Sequence, residues 1–220
     1  MTRKGKIILA AGLLCLFFLL IAALKSVDVA HVEGSPEGTE VGLAGVNGPI
    51  HEWIGLNMTW YRITEILGYA AILTAACFAG MALVQLIQRR SLKRVDPCLV
   101  AAMVLYAVCV ICYVLFNKVV INYRPVLMPG ETEAEASFPS SHSMVAVVIM
   151  GSTFLLARFY APGKGLQRIV QALSEAVAAV TVIGRLLSGV HWFTDIVGGV
   201  LLSAALISAF NAFVTPKEKQ

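Results

Sequence analysis

Two histidines, one aspartate and three basic residues are the groups in this chain that could do chemistry together: His142, His191, Asp195, Lys118, Arg124 and Arg185. Asp195 follows His191 by four residues, which on a helix puts both side chains on one face. Three cations beside two imidazoles suit a phosphate and the negative charge that develops on it during transfer. Ser140 and Ser141 stand just before an apolar run. If that run is a helix, they lie at its N-terminus, where free backbone N–H groups already favour an anion.

These residues are distant in sequence, so the elements between them must bring them together. Of the 220 residues, 58% are hydrophobic and 14% are charged, against about 25% charged in a soluble domain. A chain this short and this apolar cannot hide its apolar surface in one aqueous core, and lipid must cover most of it. Six apolar segments are legible: 7–24, 66–87, 98–116, 143–157, 169–187 and 196–214. Their lengths suit membrane-spanning helices, and a barrel would show strict alternation instead. The expected fold is therefore all-α: one polytopic membrane domain over 1–220 with six transmembrane helices. The first helix and an outer loop occupy 1–64.

The basic residues orient the bundle. With a cytoplasmic N-terminus and six alternating helices, 12 of the 17 Lys and Arg face inward, among them Arg89, Arg90, Lys93, Arg94, Arg158, Lys217 and Lys219. The C-terminus is then cytoplasmic too. Lys118, Arg124 and Arg185 break this ordering. Alternation carries them, both histidines and Asp195 to the outer membrane face.

Other features read more plainly. Residues 2–6 resemble the basic start of a signal peptide, but the following apolar run is longer than the usual 7–15 residues, so no cleavage is expected. No basic block of the kind that binds nucleic acid is present. Cys109 and Cys112 form a C-x-x-C, read as small buried hydrophobes rather than a redox pair. The outer loop 25–65 turns aromatic at Trp53, Trp60 and Tyr61. These side chains suit either an interfacial helix over the site or simple anchors. The loop 122–141, with Pro125, Pro129, Gly130 and Pro139, is expected to be irregular. Glu175, inside a span, is expected to make a helix–helix hydrogen bond. His31 and His51 read as loop residues.

The order and spacing of the site residues resemble the type 2 phosphatidic acid phosphatase superfamily, in its membrane-bound lipid phosphatase branch. That family shows K-x6-RP, PSGH and SR-x5-H-x3-D. Here stand Lys118-x5-Arg124-Pro125, Pro139-Ser140-Ser141-His142 and Gly184-Arg185-x5-His191-x3-Asp195, and the likeness covers roughly 65–214. Lys118 is one residue closer to Arg124 than in the family, a turn of about 100° on a helix. Ser141 replaces a Gly, and Gly184 replaces a Ser.

The resemblance implies that His191 attacks phosphorus and becomes phosphohistidine. It implies that Asp195 holds its ring in the attacking tautomer, and that His142 protonates the departing oxygen. Lys118, Arg124, Arg185 and the Ser140–Ser141 turn would bind phosphate oxygens, with no metal or cofactor because the cations take a metal's place. The implied substrate is a lipid phosphate or diphosphate, of the undecaprenyl diphosphate, phosphatidic acid or phosphatidylglycerol phosphate type. A phosphotransferase on the same scaffold and a non-catalytic membrane protein are the alternatives. The oligomeric state is not legible.

Overall fold

A computed structural model describes residues 1–128 and 130–215; Pro129, Lys217 and Lys219, used above, lie outside the described residues. The described residues form seven α-helices: α1 (Arg3–Ser26), α2 (Ala44–Ile54), α3 (Met58–Arg89), α4 (Pro97–Lys118), α5 (Ser141–Tyr160), α6 (Lys164–Leu187) and α7 (Phe193–Val214). All except α2 are long and apolar enough to cross a membrane. Among the described residues the only β structure is two isolated bridges, 30 with 41 and 123 with 136. The six expected spans are present, and the protein is an all-α membrane bundle.

The helices run further than the apolar segments did, because polar residues at their ends are helical as well. The largest difference is at α3, which begins at Met58 rather than near 66. The Asn57 side chain caps it, accepting from the N–H of Thr59 (3.1 Å) and Trp60 (3.2 Å). The outer loop therefore ends eight residues earlier than 65, and Trp60, Tyr61 and Glu65 belong to a spanning helix. The remaining aromatic stretch forms the short helix α2, from which Trp53 projects 84% exposed. Such a side chain favours the depth of lipid headgroups.

α5 and α7 form the enclosed centre. Small residues on α7 set their spacing. A side chain at Gly198 would run into the Phe138 ring, and one at Gly199 would meet the Ser140 carbonyl at 3.0 Å. Phe138 also stacks on Phe17 of α1 at 5.7 Å between ring centres and meets Phe116 of α4 edge-on at 6.2 Å. This aromatic cluster floors the end of the bundle where α4 and α6 finish and α5 and α7 begin. At the opposite end, Asp96 accepts from Gln85 at 2.8 Å and pairs with Arg89 at 2.9 Å, closing the α3–α4 turn. Those bonds hold the Asp96 carboxyl below its usual pKa, Gln85 contributing first and Arg89 next.

Glu175 corrects an expectation. It is exposed and makes no side-chain hydrogen bond among the described residues, whereas its neighbour Ser174 turns inward and donates to the Val170 carbonyl at 2.7 Å. One residue is about 100° of helix, enough to move Glu175 from the packed face to the outer one. All five cysteines are free.

Candidate active site

The catalytic candidates sit where loops cross the shared end of the bundle. The turn between α6 and α7 carries His191, and its shape depends on Gly189. That residue has φ +69° and lies so close to the Gly55 carbonyl that no side chain would fit. His191 is 3% exposed and Asp195 is fully buried. His191 Nδ1 lies 3.6 Å from Asp195 Oδ2, an ion-pair distance slightly too long for a hydrogen bond. The carboxylate is held elsewhere: Oδ2 accepts from the Trp192 N–H at 3.0 Å and Oδ1 from Asn122 Nδ2 at 3.3 Å. Asp195 thus caps its own helix from its third position while facing the imidazole. Burial first, then the charges of Arg124 and Arg185, hold the His191 pKa well below its ordinary value. The ring is therefore neutral at neutral pH and keeps a free lone pair.

His142 occupies the first turn of α5. Its Nδ1 is buried without a partner, and its ring lines two cavities that meet there. One, about 330 Å³, is bounded by Arg124, Asn117, Glu135, Ser141, His142 and His191 among others. The second, about 450 Å³, runs between α3, α4 and α5, past Tyr69, Ile72, Ala75, Tyr106, Val110 and Ile149. Tyr113, Ser141 and His142 belong to both walls. A polar chamber therefore adjoins an apolar groove across these three residues.

The cations differ from one another. Arg124 borders the chamber, its Nε 2.9 Å from Glu135 Oε2, as an ion pair rather than an aligned hydrogen bond. Arg185 is fully buried, and none of its three guanidinium nitrogens has a hydrogen-bond partner among the described residues. It is not part of the chamber wall, yet its charge reaches His191. Lys118 is exposed at the end of α4 and borders neither cavity. Asn117, seven residues before Arg124 as in K-x6-R, lines the chamber instead. The shortened spacing has rotated the lysine out and a neutral amide in.

Ser140 is also differently employed. Its hydroxyl donates to Ser143 Oγ at 3.0 Å and its N–H to the Asp195 carbonyl at 3.0 Å. It thus locks the start of α5 to the first turn of α7. Ser141 and the free N–H groups of the first turn remain to face an anion. Gly184 has a steric reason: a side chain there would approach Thr64 Cγ2 at 2.6 Å and Trp60 Cε3 at 2.9 Å.

Three residues of this site escape motif reading. Asn122 holds Asp195. Asn47, fully buried on α2, accepts from the Thr194 N–H at 3.2 Å and donates to Thr194 Oγ1 at 3.0 Å. It caps α7 from 147 residues away, and nothing local in the sequence signals that. His51, expected in a loop without company, lies in α2 with its ring edge-on to Trp192 at 5.3 Å.

The profile of the PAP2 superfamily matches residues 99–219. Over 105 residues the chain is 31% identical to phosphatidylglycerophosphatase B of Bacillus subtilis (strain 168), a stretch that is 45% of this chain and 51% of that protein. The chain thus spans about half the length of this curated relative. The crystal structure of the first transmembrane PAP2 type phosphatidylglycerolphosphate phosphatase from Bacillus subtilis shares the fold, with a TM-score of 0.61 at 17% identity over 92% of this chain and 93% of that one. The profile covers more than half of the chain, and the match begins in α4 and takes in every motif residue described above, so the chain belongs to the PAP2 superfamily.

Proposed function

We propose that this protein is a membrane phosphatase that hydrolyses a lipid phosphate or diphosphate through a phosphohistidine at His191, on the extracytoplasmic side. One observation carries the reading. A polar chamber holding both histidines and Arg124 shares the wall formed by Tyr113, Ser141 and His142 with an apolar groove between spanning helices. A phosphate with a long apolar tail fits both halves at once, whereas a soluble phosphate ester would leave the groove empty.

In this reading Arg124, the first turn of α5 and the adjacent Arg185 gather the phosphate oxygens. The neutral His191 attacks phosphorus. Asp195, fixed by Trp192 and Asn122, orients the ring and stabilises its charge as the P–N bond forms. His142 gives a proton to the departing alkoxide or phosphate as the P–O bond breaks. Water then attacks the phosphohistidine, with His142 accepting its proton, and inorganic phosphate leaves. Lys118 has at most a long-range part. The relative's name points to phosphatidylglycerol phosphate as a first substrate to try, beside phosphatidic acid and undecaprenyl diphosphate.

The test is phosphate release from a panel of purified lipid phosphates and diphosphates in excess EDTA. Release from at least one lipid, inhibited by vanadate, is expected, because guanidinium charge rather than a divalent ion neutralises the phosphate. Activity that vanishes in EDTA and returns with Mg²⁺ would refute that mechanism. Phosphate appearing on an added alcohol instead of in water would favour the phosphotransferase.

Sidedness is tested separately. The excess of Lys and Arg in the loops at the end opposite the site supports a cytoplasmic N-terminus. Single cysteines placed in 126–136, in a background without the native five, should react with an impermeant thiol reagent on intact cells. Those in 91–95 should not, and the reverse pattern would put the site in the cytoplasm.

A further inference from the structure

Arg185 presents a physical problem. A fully buried guanidinium with no hydrogen-bond partner is costly, and no carboxylate among the described residues pairs with it within 4.0 Å. The group that does meet it is aromatic: its Cζ stands 4.7 Å from the centre of the Tyr61 ring, over the face. The face of an aromatic ring is negative and attracts a cation, more strongly when both are desolvated.

Tyr61 is held there by its own helix. Asn57 caps α3 one turn earlier, and the Asn57 N–H donates to the Ser188 carbonyl at 3.0 Å, pinning the start of α3 to the end of α6. Trp60 and Thr64 then close over Gly184, the residue next to Arg185. The absence of a side chain at 184 is what lets the first turns of α3 come this close. The position that resemblance assigns to a serine has been given up to an aromatic platform.

We propose that Tyr61 is a positioning residue for phosphate binding, a role that rests on reading the site as a phosphate site. Its ring fixes the Arg185 guanidinium by the face and leaves the N–H edges free. A carboxylate in the same place would fix the guanidinium through those edges and compete with the phosphate for them. A π face stabilises the charge without consuming a donor.

The full-length protein in detergent serves for the test, with p-nitrophenyl phosphate as substrate and inorganic phosphate as competitive inhibitor. Tyr61→Phe keeps the ring and should retain phosphate affinity. Tyr61→Leu should weaken phosphate inhibition and raise KM, each about tenfold. Replacing Tyr61 by phenylalanine with increasing ring fluorination changes the charge of the face and hardly its shape. Phosphate affinity should fall stepwise along that series, a response that packing alone would not give. If the leucine variant does not fold, the fluorinated series decides.

A flat series, or a phenylalanine variant as weak as leucine, would overturn the role of Tyr61. Arg185→Ala separates the two levels. If it loses phosphate inhibition while Tyr61→Leu keeps it, the inference fails alone. If it keeps wild-type inhibition, the phosphate reading of Arg185 fails and takes the inference with it.

Discussion

His191→Ala is expected to lose hydrolysis of every substrate, lipid or aryl, by about 10⁴-fold or more. A nucleophile differs from the other groups of the site in that no leaving group can bypass it. The variant should also fail to trap radiolabelled phosphate on the protein after an acid-avoiding quench, whereas the wild type should label on nitrogen. Packing gives little reason for collapse: His191 makes no hydrogen bond through either ring nitrogen. The pH profile adds a sign. Folding holds the pKa of His191 below 6.5, so its neutral form, the one a nucleophile requires, survives to lower pH than in an ordinary histidine. Loss of activity from this group should appear only as pH falls through that lowered value. Residual turnover in the alanine variant above the background of the purified preparation would refute the assignment.

His142→Ala should behave differently, with a loss set by the leaving group. A lipid alcohol departs as a strongly basic alkoxide and needs a proton in the transition state, where general acid catalysis contributes about 10²–10⁴-fold. p-Nitrophenolate is a stable anion and needs little help. The variant should therefore lose about 10²-fold or more on the lipid and less than about tenfold on the aryl ester. Both rates come from one preparation, so partial misfolding cancels in the ratio. His142 also borders the apolar groove, so KM for the lipid should be recorded beside kcat; a change confined to KM would point to chain binding. Equal losses in kcat on the two substrates would rule out the acid role.

Much of the fold was legible from the chain because a membrane makes sequence signals strong. Six apolar runs could be counted, and alternation alone took Arg124, His142, Arg185, His191 and Asp195 to one end of the bundle; there Arg124, His142 and His191 line one chamber and Asp195 faces His191 at 3.6 Å. What sequence missed has specific physical causes. Lys118 matched by residue type, but one missing residue turns a helix by about 100°, and Asn117 borders the chamber in its place. Ser140 matched by motif, yet its hydroxyl and N–H serve the join between α5 and α7. Tyr61 suited either an interfacial helix or a lipid anchor because its company was judged along the chain, and its partner Arg185 lies on another helix. Glu175 was assigned inward although the packed face of α6 passes through Ser174. Hydrophobicity locates a helix in the bilayer; it says far less about which way each residue faces.

The bracket that Asn47 makes on Thr194 bears on how the molecule could be cut or recombined. The segment that carries the family pattern begins at residue 99, whereas the residue that closes the start of α7 lies at 47. A chimera joining 99–219 of this chain to the first two spans of a relative would inherit every candidate catalytic residue and lose the clasp on the turn that bears His191 and Asp195. Such a graft should insert and remain helical yet turn over poorly, and restoring 42–57 of this chain should recover it. On that outcome the motif-bearing half would not be a portable cassette. Sequences of relatives should show positions 47 and 194 changing together, as parts of one joint.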